Sequence, residues 1–545
     1  MTVHLYPPEA GSTSLGILIA EIEKGIVKIP QFQRDFVWKR DASAKLLDSI
    51  LKGYPIGTFI FWKTKEELRS IRNIGGLELP KTPKGDFILY VLDGQQRLTS
   101  LFAAVKGLKI KRVDEPEEDF GRFYVDLGAK ADEPIVVVEP APDAEEYRYI
   151  LLHDLMFGKI KTYSSYPEDA QEKIQFYKER LNSYQFALVT MKEAPIDVAT
   201  EVFERLNTGG TKLSVFEIMV AKTFDIDRDF DLALKFDALI AEFSTVDYGT
   251  LPDSTVLQLI AFCVGPDAKK KAILSIPKNQ FIDAWEPATT GLKRAVEYLR
   301  NKIRVPVSEL LPYPALIVPI AYYFIKTGKA PDAIRSEMLQ DFFWRVGLGE
   351  RYSRSLETNL AQDIKRIEQI VQGVQPKYEW DVDTSADYIL NNGGFSTSRS
   401  YVKTLLCLMA SKQPLSLRDN SIVNISNRWL SRADSMNYHH FFPKAFLEKQ
   451  SCDSWWINHV VNITLVDDQL NKREIRAKAP SKYVAGFAKD NPELKKALAS
   501  HFIGESGFGV EEDDYDTFLK KRAERLSKAL EAKLIKAVDA GRKLK

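Results

Sequence analysis

The sequence predicts an α+β chain in three parts: a mixed α/β region over residues 1–225, a helical region over 226–390 and a C-terminal region over 391–545. Three observations predict it. Short apolar runs of strand character alternate with helical spacing in the first part, helical patterns dominate the second, and the Gly- and Ser-rich stretch "NNGGFSTSRS" at 391–400 marks the start of the third. At about 150 residues per domain, the chain is long enough for roughly three or four cores.

Composition narrows the class. The chain is 45% hydrophobic and 28% charged, as ordinary globular proteins are. Its 76 basic residues balance 75 acidic ones, which excludes a protein that coats nucleic acid through a global positive field. Any contact with DNA must come from local patches. No apolar run approaches the ~20 residues of a membrane span, and the opening "MTVHLYPPEAGSTSL" lacks the basic-then-apolar plan of a secretory signal. A cytoplasmic location with no membrane partner is therefore expected. Cys263, Cys407 and Cys452 are far apart and never form CxxC, which argues against a disulfide framework and against cysteine-ligated zinc.

In chain order, "GILIAEIEKGIV" has helical spacing, while "IGTFIFW" and "FILYVL" read as strands. "YVLDGQQRLTSLFAAV" is a strand that ends at Leu92, passes through Asp93, Gly94, Gln95, Gln96 and Arg97, and continues as a helix with Leu98, Leu101, Phe102 and Val105 on its inner face. Such a joint offers unpaired N–H groups at the helix start, and Arg97 adds a charged fork suited to phosphate. The alternative is that Asp93 caps the helix and Arg97 pairs with a neighbouring acid. "KIPQFQRDFVWKR" interleaves Gln31, Gln33, Arg34 and Asp35 with Phe32, Phe36 and Trp38, a mix that can stack on bases and bond to phosphate. "EVFERLNTGGTKLSVFEI" runs a helix into the turn Asn207, Thr208, Gly209, Gly210 and restarts with Ser214 and Glu217 as a capping box. The alternative is that these aromatics are core and the glycines only reverse the chain.

"IPQFQRDFVW", "VLDGQQRLTSL" and "FERLNTGGTKLS", in this order, resemble the N-terminal domain of the GmrSD family of modification-dependent (type IV) restriction enzymes, which is similar to the ParB/sulfiredoxin fold. The resemblance implies a nucleoside triphosphatase that couples GTP or another NTP to sensing of modified DNA. Asp93 to Arg97 and Asn207 to Gly210 would sit at the nucleotide, and Gln31, Gln33, Arg34 and Trp38 would contact the DNA. The chain has no GxxxxGK[ST] P-loop, so P-loop chemistry is not expected.

"FDLALKFDALIAEF", "YPALIVPIAYYFI" and "SEMLQDFFWRVGL" carry the helical middle, and "DTFLKKRAERLSKALEAKLIKAV" fits a solvated amphipathic helix near the end. Between them, three of the six histidines fall between residues 439 and 459. Cutting a phosphodiester needs a base of near-neutral pKa to activate water and a divalent ion to take up charge. The stretch from "NYHHFFPKAF" through "NHVVNITLVDDQLNKREIRAKAP" resembles the HNH (ββα-metal) nucleases, above all the HNH domains fused to GmrSD-type N-terminal domains.

In that resemblance the catalytic set is His440, aligned with the general base, and Asn462, aligned with the asparagine that braces the loop. His439 and Asn471 align with metal-ligand positions, which implies Mg2+ or Mn2+. Lys444, Lys472, Arg473, Arg476 and Lys478 are candidate contacts to DNA phosphates. Adjacent residues of a regular strand face opposite sides, so His439 and His440 share a site only if the strand bends or ends, which Pro443 favours. His459 matches no catalytic position and is expected to be structural. The alternative reads the two histidines as surface or capped residues and the asparagines as turn formers.

Together these readings predict a defence endonuclease that senses modified or phage DNA and cleaves it with an HNH domain. Two alternatives stay open: a phosphorothioate-sensing nicking enzyme of the SspE type, and a non-catalytic DNA-binding regulator. The expected partners are DNA and a nucleotide; a homo-oligomer is left open.

Overall fold

The computed structural model describes residues 7–536, except 31–32, 34–35, 72, 75–76, 84, 112–115, 131, 143–144, 207–212, 428–437, 467–474, 476 and 505. The architecture is mixed α+β, in two compact units, Met1–Leu232 and Ala233–Lys545.

The first unit is built on a six-stranded sheet. Its strands are β1 (Glu9–Ser14), β2 (Val27–Pro30), β3 (Phe59–Thr64), β4 (Ser70–Ile71), β5 (Ile88–Asp93) and β6 (Gln185–Lys192), in the order β1-β6-β3-β5-β2-β4. The β6/β3 and β2/β5 pairs are parallel and the other three antiparallel. Both faces of the sheet are covered, so neighbouring residues on one strand are buried together. Phe59 and Phe61 join the main core, whereas Trp62 packs beside Tyr90 and donates to Ala194 O (2.9 Å). Near-continuous apolar runs such as "FIFW" follow from this two-sided cover.

Helices α1 (Leu15–Glu23), α2 (Arg40–Lys52) and α3 (Gln95–Lys106) contribute most of the main core with β3 and β5. As the spacing predicted, Leu98, Leu101, Phe102 and Val105 are buried. Ser14 caps α1 by accepting from Ile17 N. Helix α4 (Ile196–Leu206) precedes α5 (Val215–Thr223), whose start carries the expected capping box: Glu217 N donates to Ser214 Oγ (3.1 Å) and Ser214 N to the Glu217 carboxylate (2.8 Å).

The second unit is helical over most of its length. Its longer helices include Leu232–Ser244, which opens at the last residue of the first unit, then Lys278–Tyr298, Ile317–Thr327, Ala333–Leu348 and Ser400–Ser411. A fully buried Asp363 is neutralised by Arg351 (2.9 Å) and Arg366 (2.7 Å) and accepts from the Tyr352 hydroxyl (2.8 Å), so this buried charge is paired. The C-terminal helix α6 (Tyr515–Glu531) departs from the expected solvated helix. Phe518, Leu519, Ala523, Leu526 and Leu530 make one face core, and Arg522 is buried with them. Its lysines line the other face, which is why the sequence read as solvated. Among the described residues no helix is long and apolar enough to cross a membrane.

The joint between β5 and α3 requires glycine. Gly94 has φ +96°, and a Cβ there would lie 2.5 Å from the Phe59 ring. Gly94→Ala is expected to destabilise the first unit by about 2 kcal/mol or more, through strain and overpacking together. Chemical denaturation of the two proteins measures it.

Candidate active site

In the second unit, strands β7 (Tyr438–His440) and β8 (Ile463–Leu465) pair antiparallel, His439 opposite Thr464 and His440 opposite Ile463. Pro443 ends the segment and caps a short helix, Lys444–Lys449. The pairing is regular through both histidines, so they point to opposite faces. His439 is 2% exposed, and His440 is half-buried. The strand ends only after both, and the two imidazoles do not converge.

His439 belongs to the interior. Its Nδ1 lies 3.0 Å from Thr464 Oγ1, and that hydroxyl donates to His439 O (3.2 Å), so Nδ1 must carry the ring proton. Nε2 is then a buried lone pair with no hydrogen-bond partner among the described residues. Burial pushes the imidazole down to about 3, helped by the charges of His440, His501 and Arg522. A neutral lone pair is the form a metal needs. Here, though, it lies within electrostatic reach of the Arg522 cation, and among the described residues no three His, Cys, Asp or Glu side chains converge on an ion. Asn471, the second expected ligand, lies outside the described residues.

Asn462 is fully buried and spends its whole side chain on backbone. Its Oδ1 accepts from Phe442 N (2.8 Å), and its Nδ2 donates to Phe442 O (3.1 Å) and Ile457 O (3.1 Å). One amide thus ties the turn after His440 to the short helix Ser454–Ile457. Arg522 supports the same place from below, donating from Nη1 to Val461 O and from Nε to His501 O (3.0 Å). Burial lowers the Arg522 pKa to about 9.

His440 faces away from this core. Its Nε2 is 3.0 Å from Asn458 Oδ1, a residue to which the sequence pattern assigned nothing. Burial lowers the pKa of His440, the Asn458 bond opposes that, and nearby Lys444 adds to the lowering. Beside it the helix exposes Trp455 and Trp456, with ring centroids 4.5 Å apart. Lys444 and Lys478 are exposed, Lys444 within 3.8 Å of Glu448. Lys472, Arg473 and Arg476 lie outside the described residues. His459 is structural: Nδ1 accepts from Val461 N (3.1 Å), so Nε2 donates to Leu390 O (3.1 Å).

In the first unit, two of the three polar motifs meet. Gln96 Oε1 accepts from Val37 N (2.9 Å) and Trp38 N (3.3 Å), and Gln96 Nε2 donates to Gln95 Oε1 (2.8 Å). The Gln33 side chain donates to Val91 O, across to the strand that leads into the turn. Gln33, Gln95 and Gln96 are all buried. Arg97 donates to Ile56 O (2.7 Å), Thr58 O (3.0 Å) and the Asp93 carboxylate (3.0 Å), with its guanidinium 5.1 Å from the Phe59 ring centre. In this arrangement the fork grips protein carbonyls rather than standing open to a phosphate. Asp93 pairs with Arg97 and does not cap the helix, whose N-cap is Gly94. Trp38 is half-buried against the core. Gln31, Arg34 and Asn207 to Gly210 lie outside the described residues.

Comparison with known proteins bears on this first unit. Residues 15–224 match the family model of the GmrSD restriction endonuclease, N-terminal domain. Over nearly its whole length the chain is also similar to the uncharacterized protein MJ0686 of Methanocaldococcus jannaschii, at 25% identity over 580 residues, 93% of this chain and 94% of the relative.

Two measurements test the geometry. Asn462→Ala leaves Phe442 N, Phe442 O and Ile457 O unpaired in a dry interior, and is expected to cost about 2–4 kcal/mol in chemical denaturation. The second concerns pH. Burial holds His439 at about 3 and His459 and His501 at about 4, all below the unfolded value of 6.5. The unfolded chain therefore binds more protons below pH 6.5, so stability is full above that pH and falls as pH drops, by about 2 kcal/mol per histidine at pH 5. Denaturation midpoints from pH 7.5 to 5 measure the slope, and a flat profile would contradict the burial of these rings.

Proposed function

We propose that the chain is a defence endonuclease that senses modified or foreign DNA through its first unit and cleaves it at His440. The restriction family of residues 15–224 supports the class of reaction. The observation that carries the cleavage site is a half-buried imidazole on the outward face of a strand whose turn is fixed by the buried Asn462 amide.

In this reading His440 acts as general base. It takes a proton from a water, the oxygen attacks the scissile phosphorus, and the bond to the 3′-oxygen breaks; the departing 3′-oxygen takes a proton from solvent water, leaving a 5′-phosphate and a 3′-hydroxyl. Burial keeps the ring in its neutral, proton-accepting form. Asn462 touches no substrate and holds the loop that carries the base. A divalent ion such as Mg2+ or Mn2+ would supply charge uptake on the phosphate, and no step here depends on one. Lys444 and Lys478 are exposed cations available to phosphates.

The same proposal keeps an NTP-using sensor in the first unit, with the nucleotide read by the backbone around Gly94 rather than by the Arg97 fork. The bonds from Gln33 to Val91 O and from Val37 N and Trp38 N to Gln96 support a coupling between the two motifs, since a ligand that moves one strains the other.

The test is nicking of supercoiled plasmid, unmodified, cytosine-modified or phosphorothioate-bearing, with magnesium or manganese and with or without GTP or ATP. Wild type is expected to cut a modified substrate, and His440→Ala to lose about 100-fold or more of that rate. Equal cutting by both proteins would move catalysis elsewhere. Binding without cutting under every condition would favour the regulator.

A further inference from the structure

The amide of Asn458 can face in only one direction. Its Nδ2 lies 3.0 Å from Ser454 O, and a carbonyl oxygen only accepts, so the atom facing it must be the nitrogen. Oδ1 is therefore the atom 3.0 Å from His440 Nε2. An amide oxygen also only accepts, so His440 Nε2 must carry a proton. In a neutral ring that leaves Nδ1 as the lone pair. Among the described residues Nδ1 has no hydrogen-bond partner.

Asn458 is itself held. It closes the short helix Ser454–Ile457, its backbone oxygen accepts from Phe395 N (2.8 Å), and the helix is anchored to the Asn462 amide through Ile457 O. The next residue, His459, is pinned at both ring nitrogens.

We propose that Asn458 is a positioning residue for the cleavage reaction: its amide holds His440 as the Nε2–H tautomer, so that Nδ1 is the atom that takes the proton from water. This rests on the assignment of His440 as the base. Without Asn458 the ring is free to rotate and to exchange tautomers, and the lone pair is aimed at the substrate only part of the time. Asn458 makes no covalent or proton-transfer step of its own.

Two experiments on the full chain test it. The first is plasmid nicking by wild type, His440→Ala, Asn458→Ala and Asn458→Asp. Asn458→Ala is expected to lower kcat about 10-fold or more at unchanged KM, while Asn458→Asp, which keeps an acceptor for Nε2–H, recovers most of the rate. Full activity in Asn458→Ala with an inactive His440→Ala would overturn the positioning role and leave the nuclease reading intact. Full activity in His440→Ala would overturn the reading beneath it. The second uses selective 15N-histidine labelling of the wild type, where the His440 signals, assigned by their loss in His440→Ala, report the tautomer. An Nε2–H ring supports the proposal, and an Nδ1–H ring overturns it even if neither Asn458 variant folds.

Discussion

A single buried amide organises the second unit around its strand pair. Asn462 is fully buried, so every polar atom of its side chain needs a partner, and each finds backbone. It does so on two segments at once, the turn after His440 and the end of the Ser454–Ile457 helix. That closure holds the turn after His440 against the end of the helix that leads to Asn458. Arg522 reinforces it in an unusual way, as a buried cation that leans on the carbonyls of Val461 and His501 and on a methionine sulfur. A buried guanidinium without a carboxylate among its hydrogen-bond partners is tolerable only because those carbonyls turn their negative ends toward it.

The first unit uses the polar residues of its motifs in a similar manner. Glutamines and an arginine that read as ligand-binding groups are, in large part, holding one another. Gln96 collects two backbone N–H groups from the segment before α2, and Arg97 fastens residues 56–58 to the first turn of α3. The result is a turn tied to two neighbouring segments by its own side chains. A Cβ at Gly57 would lie 2.6 Å from the Arg97 guanidinium, which shows how closely the backbone wraps that side chain.

Much of this was legible in the sequence. The inner face of α3, the capping box at Ser214 and the structural nature of His459 followed from spacing and local chemistry. Asn462 was legible as a brace because a resemblance in motif carries the role of each residue with it. Other features were not legible, for stated physical reasons. An arginine beside a glycine turn looks the same whether its fork meets a phosphate or two carbonyls, since those carbonyls come from the loop before β3, 41 and 39 residues earlier. Arg522 sits in a run of lysines and glutamates, and only the tertiary packing of Phe518, Leu526 and Leu530 puts its face inward. Asn458 belongs to no motif, and what distinguishes it is a direction set by one carbonyl on the preceding turn. The adjacency of His439 and His440 suggested a shared task, and strand alternation divides them instead.

The Gly393–Gly394 pair carries a consequence of its own. In the sequence it is the softest spot between two helices. In the folded chain it is a keyhole: a Cβ on Gly393 would lie 2.3 Å from the His459 ring, and one on Gly394 would lie 2.7 Å from the Trp455 indole nitrogen. The same backbone accepts Val460 N at Gly393 O (2.7 Å). A stretch with the composition of a hinge thus has the tolerances of a lock, and its glycines are there for want of space rather than for freedom of motion.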